Sequence, residues 1–150
     1  MIGQRGQGFK IALQGLDGGR LNIASCSIGG AAKCLDIAKD YIKGRKQFGR
    51  PLADNQHLQF KLAEMAIELE SSRLMVRHAA RLLTEKQPNY TMYCAMAKKV
   101  ATDKCFDVVN DALQMHGGYG YLKEYPIERF LRDLRVHPIL EGTNEIMMHI

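Results

Sequence analysis

The sequence predicts an all-α protein: an up-down bundle of four long helices, the last one truncated by the end of the chain. Three observations predict it. Apolar or small residues recur at alternating three- and four-residue spacing in three long segments. Short stretches containing Gly, Pro or Asn join those segments, which makes consecutive helices antiparallel neighbours. No segment shows sustained strand alternation, residues 8–13 coming nearest.

The first stripe is Leu21, Ala24, Ile28, Ala31, Leu35, Ala38 and Ile42. Its helix begins near Gly18-Gly19-Arg20, with Asp17 as N-cap and the glycines in the loop, and ends near Lys43-Gly44. At about 1.5 Å per residue it is roughly 35 Å long. Arg45-Lys46-Gln47-Phe48-Gly49-Arg50-Pro51-Leu52 reads as a loop. A second helix spans about residues 55–85, striped by Leu58, Leu62, Met65, Leu69, Val76, Ala79 and Leu83, and Gln87-Pro88-Asn89 breaks it. A third covers about residues 91–116 with Ala97, Ala101, Cys105, Val108, Ala112 and Met115 on one face. Gly117-Gly118-Tyr119-Gly120 ends it, since glycine suits the left-handed C-terminal position. A short helix near residues 127–135 and a turn at Pro138 follow. The last helix starts near Thr143 and stops at Ile150 after barely two turns. The apolar stripes are wide enough that packing of one bundle against another in a homo-oligomer is expected.

The chain has 150 residues, 46% hydrophobic and 25% charged, which suits one soluble domain with a real core. No apolar run approaches the roughly 20 residues that a membrane span needs. Met1-Ile2-Gly3-Gln4-Arg5-Gly6 is not a signal peptide and reads as part of something longer. The net charge of +5 permits an anionic partner without choosing one. Arg129, Arg132, Asp133 and Arg135 look like a solvated helix face, and no aromatic interleaving points to nucleic acid. Cys26, Cys34, Cys94 and Cys105 have no CxxC spacing and read as small buried hydrophobes in a reducing compartment, not as disulfides or a metal site.

Four motifs carry possible chemistry, and each has an ordinary alternative. In Ile139-Leu140-Glu141-Gly142-Thr143-Asn144-Glu145, one carboxylate sits between an apolar run and a glycine. Partial desolvation suits a carboxylate to general-base work; a helix cap or an ion-pair partner is the plain reading. Arg45-Lys46-Gln47-Phe48-Gly49 either complements a helix dipole or offers a guanidinium to a phosphate. Gln114-Met115-His116-Gly117-Gly118-Tyr119-Gly120-Tyr121 is either a helix terminus or a place where a flat ligand approaches the backbone. No strand precedes it, so it is not a dinucleotide fingerprint. Asp17-Gly18-Gly19-Arg20 is a helix start or a ligand contact through Arg20.

Together these motifs resemble the C-terminal helical domain of the acyl-CoA dehydrogenase family, over essentially the whole chain. Gly6-Gln7-Gly8-Phe9 leading into Leu16-Asp17-Gly18-Gly19-Arg20, then Arg45 to Gly49, then Gln114 to Tyr121, then Leu140-Glu141-Gly142-Thr143 stand in the family's order and at its separations. The wording is most similar to that of the short branched-chain members, with Asn22-Ile23-Ala24-Ser25-Cys26-Ser27 adding to the likeness.

The resemblance implies that Glu141 removes the α-proton of an acyl-CoA thioester while the β-hydrogen leaves as hydride to FAD, giving a trans-2-enoyl-CoA. The implied substrate is a short branched-chain acyl-CoA such as isobutyryl-CoA. Implied FAD contacts are Arg45 at the pyrophosphate, Asn55, Gln56, Gln114, Met115, His116, Gly117, Gly118, Thr143, Asn144 and Glu145. Several of them reach the FAD of a neighbouring subunit. Asp17, Gly18, Gly19, Arg20 and Gly142 are implied to line the acyl-CoA site. Some relatives carry the base at the position matched by Gly19, and glycine cannot serve.

A homodimer or homotetramer, an electron-transfer flavoprotein as electron acceptor, and a mitochondrial matrix location in a eukaryote (cytoplasmic otherwise) are also implied. The family's N-terminal helical domain and middle β-domain are not in this sequence, and residues 1–15 correspond to a lead-in from the middle domain. The 150-residue chain by itself is therefore expected to be inactive. A stand-alone basic helical module that oligomerises or binds an anion is the competing reading.

Overall fold

The computed structural model describes residues 2–150. The fold is an all-α bundle of three long helices with shorter elements closing one side. Helix α1 is Gly8–Gly44, α2 is Gln56–Thr84 and α3 is Tyr90–His116. A short helix α4, Ile127–Arg135, and a single-turn helix α5, Asn144–Met147, follow. A hairpin of β1 (Lys46–Gln47) and β2 (Arg50–Pro51) links α1 to α2, pairing Lys46 with Pro51 and Gln47 with Arg50.

The three-four stripes set this arrangement. Leu21, Ala24, Ile28, Ala31, Ala38 and Ile42 of α1, Met65, Leu69, Val76 and Ala79 of α2, and the whole predicted stripe of α3 share one core. Helix α3 packs against both α1 and α2. Thr91 at its start bonds Asp17, and His116 at its end stacks on Tyr41, so α1 and α3 run parallel and α2 runs against them. Alanine and cysteine are the commonest buried residues of α1 and α3, and small side chains let two backbones approach. Gly30 lets α4 in: a Cβ there would lie 2.7 Å from Leu134 Cδ1.

Three expectations are corrected. Helix α1 begins at Gly8, not near Gly18, so residues 8–13 are helical and Asp17 lies inside the helix instead of capping it. Two glycines in a helix interior each cost up to about 1 kcal/mol, and packing over the rest of a 37-residue helix overrides that. Residues 45–52 are a tight hairpin and a 3-10 turn, not an open loop, with Phe48 and Gly49 at φ +51° and +81°. The last helix, α5, is four residues long at the end of the sequence, after the three long helices of the bundle. Cys34, Cys94 and Cys105 are buried, but Cys26 is exposed. Burial pushes the Cys34 and Cys105 thiols up to about 12. No helix among the described residues is long and apolar enough to cross a membrane.

Candidate active site

The predicted site residues fall into two groups at opposite ends of the bundle. Gly19 and Gly44 are 25 residues apart on one helix, which at about 1.5 Å per residue is roughly 37 Å.

At the first end, Glu141 sits on a turn between α4 and α5. Its backbone takes φ +57°, and Gly142 follows at φ +90°. A non-glycine residue in this region is uncommon and points to a conformation the surroundings impose. The turn directs the half-buried Glu141 carboxylate onto α1 at Gly19. A Cβ on Gly19 would lie 2.6 Å from Glu141 Cδ and 2.8 Å from its Oε1. Only a residue without a side chain leaves that space to the carboxylate.

One turn away, Asp17 and Arg20 form a buried ion pair, Nη1 to Oδ1 2.8 Å. The other Asp17 oxygen accepts from Thr91 Oγ1 at 2.9 Å, tying α1 to the start of α3. Arg20 Nε is buried without a partner. The bland alternative for Asp17, a cap, is thereby replaced by a buried structural pair that touches two helices.

Thr143 does cap α5, accepting from Ile146 N at 3.4 Å. Asn144 is buried at the first position of α5, and its amide bonds Thr102 Oγ1 at 2.9 Å and Asp103 Oδ1 at 2.5 Å. Glu145 is exposed. Its carboxyl is held below the usual range by a hydrogen bond to its own backbone and one from Thr143.

At the other end, Gln114, Met115, His116, Gly117 and Gly118 meet Arg45 and Tyr41 around an open groove of about 570 Å³. His116 stacks on Tyr41 with ring centroids 4.1 Å apart. Arg45 lies over the Tyr119 ring at 5.2 Å, a cation–π contact. Gly117 takes φ +57°, and nothing lies within 4 Å of a Cβ built on Gly117 or Gly118, so the floor of the groove is bare backbone. Gly120 has the opposite reason: a Cβ there would meet Leu113 O at 2.7 Å.

His116 donates its Nδ1–H to Ala112 O at 2.8 Å, while its Nε2 is buried without a partner. Burial pushes the His116 imidazole below its ordinary value, partly offset by that backbone bond. Asn55 and Gln56 lie near this end, both exposed. Asn55 Oδ1 caps α2 by accepting from His57 N at 3.0 Å.

Sequence reasoning missed three residues that shape these ends: Tyr41, which the His116 ring covers, His137, and Lys98. His137 is buried with Nδ1 2.8 Å from Ser27 Oγ. Lys98 had a legible signal: Cys94, Lys98, Ala101 and Cys105 repeat at the spacing of the buried α3 face, so a lysine stands where the core should be.

A flat aromatic group bearing phosphates suits the second end. The groove is mainly apolar, its floor is exposed backbone, and one guanidinium stands at the rim. The fold and its two ends thus define a helical domain that holds a carboxylate at one end and a ligand groove at the other. The chain belongs to the acyl-CoA dehydrogenase family: residues 6–150 match the family described as acyl-CoA dehydrogenase, C-terminal domain.

It is 58% identical to the mitochondrial isobutyryl-CoA dehydrogenase of Bos taurus, over 97% of this chain and 35% of that protein. It is 46% identical to a subunit of the caffeyl-CoA reductase-Etf complex of Acetobacterium woodii, over 99% of this chain and 39% of that one. The solved butyryl-CoA dehydrogenase of Megasphaera elsdenii superposes with a TM-score of 0.95 at 44% identity, over 99% of this chain and 38% of that one. The chain thus spans well under half the length of these relatives.

Proposed function

We propose that this chain is the C-terminal domain of an FAD-dependent enzyme that dehydrogenates a short branched-chain acyl-CoA, of the isobutyryl-CoA kind, with Glu141 as the base. The observation that carries the reading is the placement of the Glu141 carboxylate on the bare backbone of Gly19. A substrate entering there meets the Glu141 carboxylate. FAD would supply the two-electron acceptor, which no side chain of this chain can replace.

The chain's own residues do the rest. Glu141 accepts the α-proton. Asp17, Gly18, Arg20 and Gly142 surround its approach, and the Asp17–Arg20 pair fixes α1 beside it. The groove of Arg45, Gln114, Met115, His116, Gly117 and Gly118, with Asn55 and Gln56 close by, would hold the flat and phosphate-bearing parts of an FAD. Thr143, Asn144 and Glu145 would meet an FAD at the Glu141 end. Since the two ends are roughly 37 Å apart along α1, the two sets serve two different cofactors, which requires more than one subunit.

Exposed Phe60, Ile67 and Leu74 repeat every seventh residue on α2, and such a row suits a second copy. The isobutyryl-CoA preference rests on the Bos taurus relative, and an electron-transfer flavoprotein as acceptor rests on the Acetobacterium woodii one. The mitochondrial name of the former supports a matrix location in a eukaryote. The remaining catalytic and flavin-binding surface would come from N-terminal helical and middle β-domains, with residues 1–15 as the lead-in.

Glu141→Gln in the full-length flavoprotein tests the reading. The amide keeps the volume and cannot take a proton. FAD content should stay at the parental level, while the rate at which isobutyryl-CoA bleaches the flavin falls by at least about 1,000-fold, within the range that general bases contribute. Bleaching at near the parental rate removes Glu141 from the role.

A further inference from the structure

Lys98 is among the largest fully buried side chains of the molecule. An ammonium in a core is costly unless its donors are satisfied. Here all three are. Lys98 Nζ donates to Gly142 O at 2.7 Å, to Asn144 Oδ1 at 2.8 Å and to Pro138 O at 3.1 Å. Every acceptor lies on the one segment that carries Glu141, on both sides of it. The same segment is drawn shut by Asn144 N bonding Pro138 O at 2.9 Å.

Helix α3 holds the far side of the clamp. Thr102 Oγ1 donates to Lys98 O at 2.9 Å and shares a bond with the Asn144 amide. Arg20 of α1, Asp103 of α3, Glu145 of α5 and Glu141 itself are the charged groups around the ammonium. Burial lowers the lysine's pKa, and the three carboxylates oppose that.

This arrangement accounts for the left-handed turn. Glu141 at φ +57° is a conformation that isolated chains avoid, and it turns the Gly142 carbonyl inward to Lys98. Three charge-assisted bonds converging on one segment outweigh that local cost. With the backbone fixed on both sides, the Glu141 side chain starts from a set position, and its carboxylate lies over Gly19.

We propose that Lys98 is a positioning residue for the reaction: its buried ammonium clamps the 138–144 segment so that the Glu141 carboxylate meets the substrate's α-carbon. The inference rests on Glu141 being the base. Lys98 touches neither substrate nor cofactor and acts only through the turn.

The test is rapid-mixing flavin reduction in the full-length flavoprotein, with Lys98→Met, Lys98→Gln and Thr102→Val compared with the parent and with Glu141→Gln. Lys98→Met keeps an unbranched chain one atom shorter and loses every donor. The limiting reduction rate per bound FAD should fall about 10- to 100-fold, as displacement of a catalytic group by about 1 Å can cause. The substrate dissociation constant and FAD content should stay within about threefold. Lys98→Gln keeps two N–H donors and should recover part of the rate.

A merely structural lysine would lower FAD content or melting temperature and leave the rate per bound FAD within twofold of the parent, and that result overturns the proposal. If the Lys98 variants fail to accumulate, Thr102→Val, which loses only the hydroxyl bracing Lys98 and Asn144, decides. A several-fold fall in its rate supports the clamp, and a parental rate overturns it. Parental bleaching by Glu141→Gln instead overturns the assignment of the base, a separate outcome.

Discussion

The two ends of the bundle are built on opposite physical terms. At the Glu141 end the polar groups are spoken for, Arg20 Nε apart. Asp17 bonds Arg20 and Thr91, Lys98 bonds three oxygens, and Asn144 bonds both Thr102 and Asp103. At the groove end the backbone of Gly117 and Gly118 is open, His116 Nε2 has no partner, and the contacts are ring on ring and cation on ring. A group that must do chemistry has to be held in one place before its substrate arrives. A group that must grip a ligand leaves its polar atoms unmatched until the ligand matches them. The difference separates a positioned end from a receptive one in a single domain.

The comparison breaks most sharply at Gly19. Gly19→Ala places a methyl where the Glu141 carboxylate lies, and the flexible end of the glutamate must give way. Flavin reduction in the full-length protein should drop about 10- to 100-fold with FAD content unchanged. An alanine variant as fast as the parent would mean that the carboxylate does not work from its place over α1.

At the receptive end the expected split is reversed. Arg45→Ala should weaken FAD retention about tenfold, in line with loss of one charge-assisted contact, while the reduction rate per bound FAD stays at the parental value. Dialysis followed by the flavin absorbance measures the first, and rapid mixing the second. Flavin retained as in the parent would make Arg45 only a partner of Tyr119 at the helix end.

The smallest effect concerns acid. Burial lowers the pKa of His116 at one end and of His137 at the other below the ordinary 6.5. Lys98 adds to the fall at His137, and Asp133 opposes it. Between each folded-state value and 6.5 the unfolded chain binds the proton that the folded chain does not, so stability rises with pH across that window. The penalty is complete below the folded values and absent above 6.5. Melting temperature should therefore decline by a few degrees from about pH 7.5 to about pH 5. His116→Asn and His137→Asn should each flatten part of that slope. Flattening by one variant alone would tie acid sensitivity to one end.

Much of this was legible in the sequence. The stripes of α2 and α3 placed both helices to within a residue or two, and α4 fell where its pattern put it, because apolar periodicity is a direct image of a buried face. The start of α1 was misjudged because local propensity counts Gly18 and Gly19 against a helix, whereas Gly19 is retained to make room for a carboxylate more than a hundred residues away. No local rule sees such a contact. The hairpin was missed because Phe48-Gly49 lacks the Asn or Asp that usually marks a turn with positive φ. Glu141 stood out through its apolar approach and following glycine. Lys98 did not, since one cation among alanines reads as a solvated position until the 94–98–101–105 spacing is given weight.

With Glu141 as the proposed base, its backbone sets durability against activity. A side chain in the left-handed region costs roughly 1–2 kcal/mol relative to glycine, and φ +57° is such a conformation. Glu141→Gly relaxes that turn and deletes the carboxylate in one step. Any selection that rewards heat resistance alone, whether in a laboratory screen or in a lineage that no longer needs the reaction, is drawn toward glycine here. On the proposed role of Glu141 as the base, glutamate at this position keeps turnover at the expense of the turn.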